Sequence, residues 1–158
     1  MSDAMQLYQS VILEHNRAPR GALRLNDPTH ESEGFNPICG DRITVTINER
    51  DQTLEKVAVL AESCALCRAS SSVLVDTLEG QEVERAKILC QAFETMLTGG
   101  HWEFCGSAGA FAVVREFPAR AKCVLLPWKT FQAALDNHKV ASNRGRILAV
   151  TTESVVKG

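Results

Sequence analysis

Two runs of alternating side chains constrain this chain more than anything else in it. Ile43 to Asn48 reads ITVTIN, and Leu54 to Ala61 sets Val57, Val59 and Ala61 against Lys56, Ala58 and Leu60. A period of two turns one set of side chains toward a core and the other toward solvent, so each run reads as a half-buried strand. The polar stretch from Asn48 to Gln52 between them is a turn, and the pair is predicted to form an antiparallel hairpin.

The period changes elsewhere. Residues 4 to 17 place Leu7 and Val11, with Tyr8, Ile12 and His15, at three- and four-residue steps, an amphipathic helix stopped by Pro19 and Gly21. A second helix is expected from Ala65 to Leu78, closed by Gly80, and a third from about Glu82 to Leu97, closed by Gly99 and Gly100. A fourth is placed at residues 127 to 138, because proline suits a first helical turn and Trp128, Phe131, Ala134 and Leu135 share one face. The stretch from Leu23 to Pro37 is polar and turn-rich and reads as a loop. The segment up to Phe111 is ambiguous, and beyond Lys139 the run ILAVTTESVV reads as a short strand or a poorly ordered end. The predicted class is α+β, a small antiparallel sheet of about three strands packed against several helices.

With 158 residues, 45% of them hydrophobic, the chain buries one core, and the expected division is a domain over residues 1–138 followed by an extension over 139–158. A net charge of -2 and a pI near 6.1 provide no basic footprint for phosphate, so nucleic acid is not an expected partner. No apolar run approaches the roughly 20 residues that span a bilayer, and the start lacks a secretory layout, so no membrane partner and a cytoplasmic location are expected.

In a reducing compartment six cysteines need an explanation, since thiols there are buried, metal-bound or reactive. Their spacing fits neither a secreted disulfide framework nor the paired motif of a zinc ribbon, so any metal site must be assembled by the fold. Cys39 lies in NPICGD, where Pro37 and Gly40 shape a tight loop and Asp41 follows two residues later. Cys64 stands where the second strand meets a helix, and there unpaired N–H groups and the helix dipole favour an anionic sulfur. Cys123, in ARAKCVLLPW, is expected just before the last helix, with Arg120 and Lys122 beside it to stabilise negative charge. Singly, a cysteine near a helix end is more often a small buried hydrophobe.

What brings the three together is a resemblance. Over LYQSVILEHNRAPRG, NPICGDRITV, SCALCRASSS and FPARAKCVLLPWKTF the chain resembles the SufU/IscU scaffold family, which includes the amino-terminal domain of NifU, from residue 7 to about 135. The resemblance implies an iron-sulfur cluster assembly protein in which Cys39, Asp41, Cys64 and Cys123 gather at one end of the fold. It is closer to the SufU branch, which has lysine before the third cysteine, as in Lys122, and a long segment before FPAR. That branch implies Zn2+ on the four side chains and sulfur received from a cysteine desulfurase; the IscU branch implies a [2Fe-2S] cluster built and handed to a downstream carrier or apo-protein. The two assemblies carry the same net charge, but a carboxylate suits zinc better than an iron-sulfur cluster. The resemblance points to Cys39 as the sulfur acceptor, with Cys64 and Cys123 as anchors and Arg120 orienting the acceptor loop.

The chain also departs from that family. Glu62 and Ser63 precede Cys64 where relatives have glycine-rich residues, and Cys67 stands where they usually carry serine or alanine. The result is Cys64-Ala65-Leu66-Cys67 at the head of a helix, the spacing of a redox pair, an auxiliary ligand or a packed thiol. Cys90 is expected in a helix core and His15 as a structural, hydrogen-bonded residue, while His30 and His138 are expected at the surface. His101 and Cys105 have helical spacing for a metal, against which the flanking glycines argue. Two functions of other classes compete with this one: a zinc hydrolase, for which no HExxH-like pairing is present, and a structural zinc domain that binds a protein partner.

Overall fold

The computed structural model describes residues 2–101, 106–137 and, as backbone, 148–151. The hairpin forms as expected: β2 (Asp41–Arg50) pairs antiparallel with β3 (Thr53–Glu62), placing Ile43, Val45 and Ile47 opposite Ala61, Val59 and Val57. These side chains share one face, and Ile43, Val45 and Ile47 are fully buried. Two further strands complete the sheet, β1 (His30–Asn36) antiparallel to β2 and β4 (Leu148–Thr151) parallel to β1, in the order β3-β2-β1-β4.

Strand β1 is the first correction to the sequence reading. Its HESEGFN is polar, and a lone polar run carries no strand signal, yet tertiary contacts meet its buried charged groups while Glu33 faces solvent. Glu31 is completely buried and accepts two hydrogen bonds from the Arg24 guanidinium, at 2.7 and 2.9 Å. His30, expected at the surface, is only 3% exposed; its Nδ1 is 2.9 Å from Thr29 Oγ1 and its Nε2 3.7 Å from Glu49. Gly34 lets the covering helix approach closely, because a Cβ there would collide with Thr130 Oγ1 and come within 3.1 Å of Ile43 and 3.2 Å of Leu126.

Helices cover the apolar face. α1 (Asp3–Arg17), α2 (Ala65–Leu78) and α3 (Val83–Leu97) lie where their periodicity placed them. α4 (Pro118–Asp136) does not: it begins nine residues before Pro127, which sits inside the helix, and Pro118 is the proline of the first turn. A proline suits a first turn but also occurs inside helices where neighbours compensate for its missing N–H. Ser70 donates to the Val124 carbonyl at 2.6 Å and accepts the Trp128 indole N–H at 3.1 Å, tying α2 to α4 on either side of Pro127. Trp128 stacks on Phe93 with ring centroids 3.9 Å apart, worth about 1 kcal/mol beyond its burial. The ambiguous segment holds a 3-10 helix (Ser107–Glu116), whose Phe111 meets Tyr8 of α1 edge-on at 6.3 Å. His15 hydrogen-bonds Ser72 at 2.7 Å and Cys90 is fully buried, both in the structural roles expected of them. Cys105 and His138 lie outside the described residues, and His101 is exposed. Among the described residues no helix is long and apolar enough to cross a membrane.

Candidate metal centre

Three segments meet at one end of the sheet: the β1–β2 turn, the β3–α2 junction and the second turn of α4. The turn is built locally. Asn36 pairs with Asp41 across the two strands, the Gly40 N–H donates to the Asn36 carbonyl at 2.8 Å, and Gly40 takes a φ of 74°, which glycine adopts without strain. The Asn36 side-chain oxygen accepts the Ile38 N–H at 3.1 Å, a local Asx turn that leaves Ile38 and Cys39 exposed at the tip.

At the junction Cys64 is the N-cap of α2, and its sulfur accepts the Cys67 N–H at 3.5 Å. Its own N–H donates to Asp41 Oδ1 at 2.8 Å, which fastens the helix start to β2. Asp41 Oδ2 then faces the sulfurs, 3.9 Å from Cys64 Sγ. Cys123 was expected in the approach to a helix; it is instead in the second turn of α4, 5% exposed, with its sulfur 3.7 Å from Cys39 Sγ.

Among the described residues, the donor atoms of Cys39, Asp41 and Cys123 all lie within 4.8 Å of one another, a group able to hold a metal ion. Cys64 is outside that mutually close trio but touches it through Asp41. The donor set fits zinc. Zn–S bonds of about 2.3 Å at the tetrahedral angle separate two sulfurs by about 3.8 Å, and a Zn–O bond of about 2.0 Å puts oxygen and sulfur about 3.5 Å apart. The observed 3.7 Å between Cys39 and Cys123 and 3.9 Å between Asp41 and Cys64 are near these values, while Cys64 has to move inward by about 1 Å or more to complete a four-ligand site.

The sulfurs are electrostatically unequal. The neighbouring Cys123 thiol, with the N–H groups of Cys67 and Leu66, brings the Cys64 pKa down to about 6, against burial and the Asp41 charge. Cys123 is driven up by that same contact, then by burial and the Cys64 charge. Burial pushes the Cys67 thiol up, with Asp41 adding to it, and Cys67 is fully buried beneath the first turn of α2.

Two neighbours were not singled out from sequence. Asn36 Nδ2 points at Asp41 Oδ2 (3.5 Å) and at Cys123 Sγ (3.6 Å); its one sequence signal was the Asn-Pro pair of a turn. Tyr8 lies close enough for the charges of Cys64 and Cys123 to act on its hydroxyl; burial raises its pKa and the Arg120 charge opposes the rise. Arg120 also stacks over Phe117 at 4.9 Å, and Lys122 is half-buried on α4 beside Cys123.

Known proteins share this arrangement of chain. The family model for the NifU-like N terminal domain matches residues 7–143. The zinc-dependent sulfurtransferase SufU of Bacillus subtilis is 33% identical over 129 residues, covering 80% of this chain and 87% of the relative. An iron-sulfur cluster assembly scaffold protein IscU of Streptococcus pyogenes is 30% identical over 138 residues, covering 85% and 86%. In three dimensions the chain is similar to a crystal structure from Fervidobacterium islandicum, described as an iron-sulfur cluster assembly scaffold for the SUF system. The two superpose with a TM-score of 0.77 at 26% identity, over 85% of this chain and 99% of the other.

Proposed function

This chain belongs to the NifU-like N-terminal domain family of iron-sulfur cluster assembly scaffolds, and from that premise we propose that it is a zinc-dependent sulfur acceptor for a cysteine desulfurase. The observation that carries the reading is the cluster of Cys39, Asp41 and Cys123 within 4.8 Å, with a carboxylate among the donors. A hard oxygen ligand suits Zn2+ and is unusual on an iron-sulfur cluster, which favours the SufU-like role over assembly of a [2Fe-2S] cluster.

Cys39, Asp41, Cys64 and Cys123 would hold the zinc. When bound, zinc keeps its cysteine ligands as thiolates and so holds them ready for exchange. Cys39 is the acceptor in this reading, because it sits exposed at the tip of a turn that a docked enzyme can reach. Its thiolate attacks the terminal sulfur of the desulfurase persulfide; a bond forms between Cys39 Sγ and that sulfur, and the desulfurase cysteine leaves as thiolate. Asp41 stays anchored by the Cys64 N–H, Asn36 holds the turn, and the buried Cys123 remains with helix α4.

Two measurements test this. Protein purified anaerobically is expected to be colourless with a single zinc, whereas brown protein with iron and sulfide favours the cluster scaffold. Incubation with a cysteine desulfurase and radiolabelled cysteine is expected to label the wild type and not Cys39→Ala; equal labelling of the two refutes the acceptor assignment.

A further inference from the structure

Cys67 takes no part in the zinc-binding reading, yet its placement is specific. It is the third residue of α2, three positions after the N-cap Cys64, whose sulfur accepts the Cys67 N–H at 3.5 Å. Side chains on a helix lean toward its N-terminus, so the Cys67 thiol is carried back toward Cys64, and the Ser63 and Ser71 hydroxyls flank it. The two residues differ in access: Cys64 is exposed and Cys67 is fully buried. Two cysteines spaced C-x-x-C at a helix N-terminus, the first exposed and the second covered, form the layout of a dithiol that closes to a disulfide after the first has reacted. The cap folds the Cys64 sulfur back over the residue whose thiol closes the bridge, 3.5 Å from the Cys67 backbone nitrogen.

We propose that Cys64 and Cys67 form a dithiol that reduces the sulfane sulfur delivered to this site and releases it as hydrosulfide; this rests on the sulfur-acceptor reading above. In the first step the Cys64 thiolate attacks the outer sulfur of a Cys39 persulfide. A Cys64 Sγ–sulfur bond forms, the Cys39 Sγ–sulfur bond breaks, and Cys39 leaves as thiolate. In the second, Cys67 attacks Cys64 Sγ. The Sγ–Sγ bond forms, the bond from Cys64 Sγ to the outer sulfur breaks, and that sulfur departs as hydrosulfide carrying the Cys67 proton. The two thiols give up two electrons and become a disulfide, and the sulfane sulfur gains them. Restoring the dithiol requires an external dithiol reductant, so without one each loaded protein reacts once. Burial of Cys67 suits this role, since an intramolecular neighbour reaches it and a bulky outside thiol does not.

The test uses full-length protein as purified, with its metal content measured, loaded with sulfur from glutathione persulfide and desalted. Sulfur uptake is read as the mass gain of one sulfur atom, hydrosulfide colorimetrically, and the disulfide by mapping unreduced peptides. Wild type is expected to release one hydrosulfide per protein with a matching Cys64–Cys67 disulfide. Cys67→Ser and Cys67→Ala are expected to keep the persulfide and release hydrosulfide at least about tenfold more slowly, because an intramolecular nucleophile is lost. Equal release rates in the variants, or hydrosulfide from wild type without the disulfide, overturn the reductant role and leave the acceptor reading standing. If wild type shows neither a sulfur mass gain nor hydrosulfide with the disulfide, the acceptor reading fails and this proposal falls with it. The wild-type disulfide measurement decides the matter even where a variant does not fold.

Discussion

The Asp41 carboxylate does two things at once for Cys64: Oδ1 accepts its backbone N–H at 2.8 Å, and Oδ2 faces its sulfur at 3.9 Å. One side chain therefore fixes the start of α2 against β2 and also supplies the oxygen donor of the cluster. Asp41→Ala is expected to lower stability by about 2 kcal/mol, the scale of a lost hydrogen bond to a charged group. Zinc should bind the variant more weakly as well. Denaturant unfolding and competition with a chromophoric chelator measure the two effects, and unchanged values for both would remove Asp41 from this double role.

The unequal thiols predict an order of reactivity in metal-free protein. With its pKa brought to about 6, Cys64 is mostly thiolate at pH 7, while burial keeps Cys67 and Cys90 protonated. Iodoacetamide should modify Cys64 well before Cys67 and Cys90, with a rate that rises through about pH 6 and then levels. Peptide mapping after timed quenching reads this order. A rate still climbing steeply above pH 8 would contradict the assignment.

His15 gives stability a pH dependence of known sign. Burial lowers its pKa below 6.5, with the Arg20 charge adding to that, so the folded state holds it neutral beside Ser72. The unfolded chain takes up a proton near pH 6.5 and the folded one only at lower pH. The stability His15 contributes is thus complete above about pH 6.5 and is lost as pH falls below it. His15→Gln should flatten the slope between pH 7 and the folded-state pKa in denaturant titrations; an unaltered slope would assign the effect to other groups.

Gly34→Ala is expected to destabilise by about 1–3 kcal/mol, the usual cost of overpacking a core. The added methyl has no room between β1 and α4, where Thr130, Ile43 and Leu126 already crowd the position. Because Cys123 rides on α4 and Asn36 on β1, zinc affinity should fall together with stability. A thermal melt with parallel metal titration checks both, and a variant as stable as wild type would show that α4 can move aside.

How far the sequence could be read depended on the range of the interactions responsible. The β2–β3 hairpin and α2 were legible because their apolar periodicity is a local property, and Cys64 could be placed at a helix start for the same reason. Strand β1 was not, because Glu31 belongs in the core only once Arg24 reaches it, and Gly34 shows its purpose only when α4 lies against it. Helix α4 was cut short for a related reason: Pro127 reads as a helix start unless the Ser70 link to Val124 beside it is known.

By itself the chain determined its elements over short spans, the turn that exposes Cys39 and the family motifs around its cysteines. Tertiary structure alone decided that Cys39 and Cys123, 84 residues apart, stand 3.7 Å from each other, and that their surroundings lower the Cys64 pKa and raise that of Cys123. Periodicity reports which face of an element is buried. It carries no information on which distant element meets that face, and the unequal acidity of the thiols depends on that meeting.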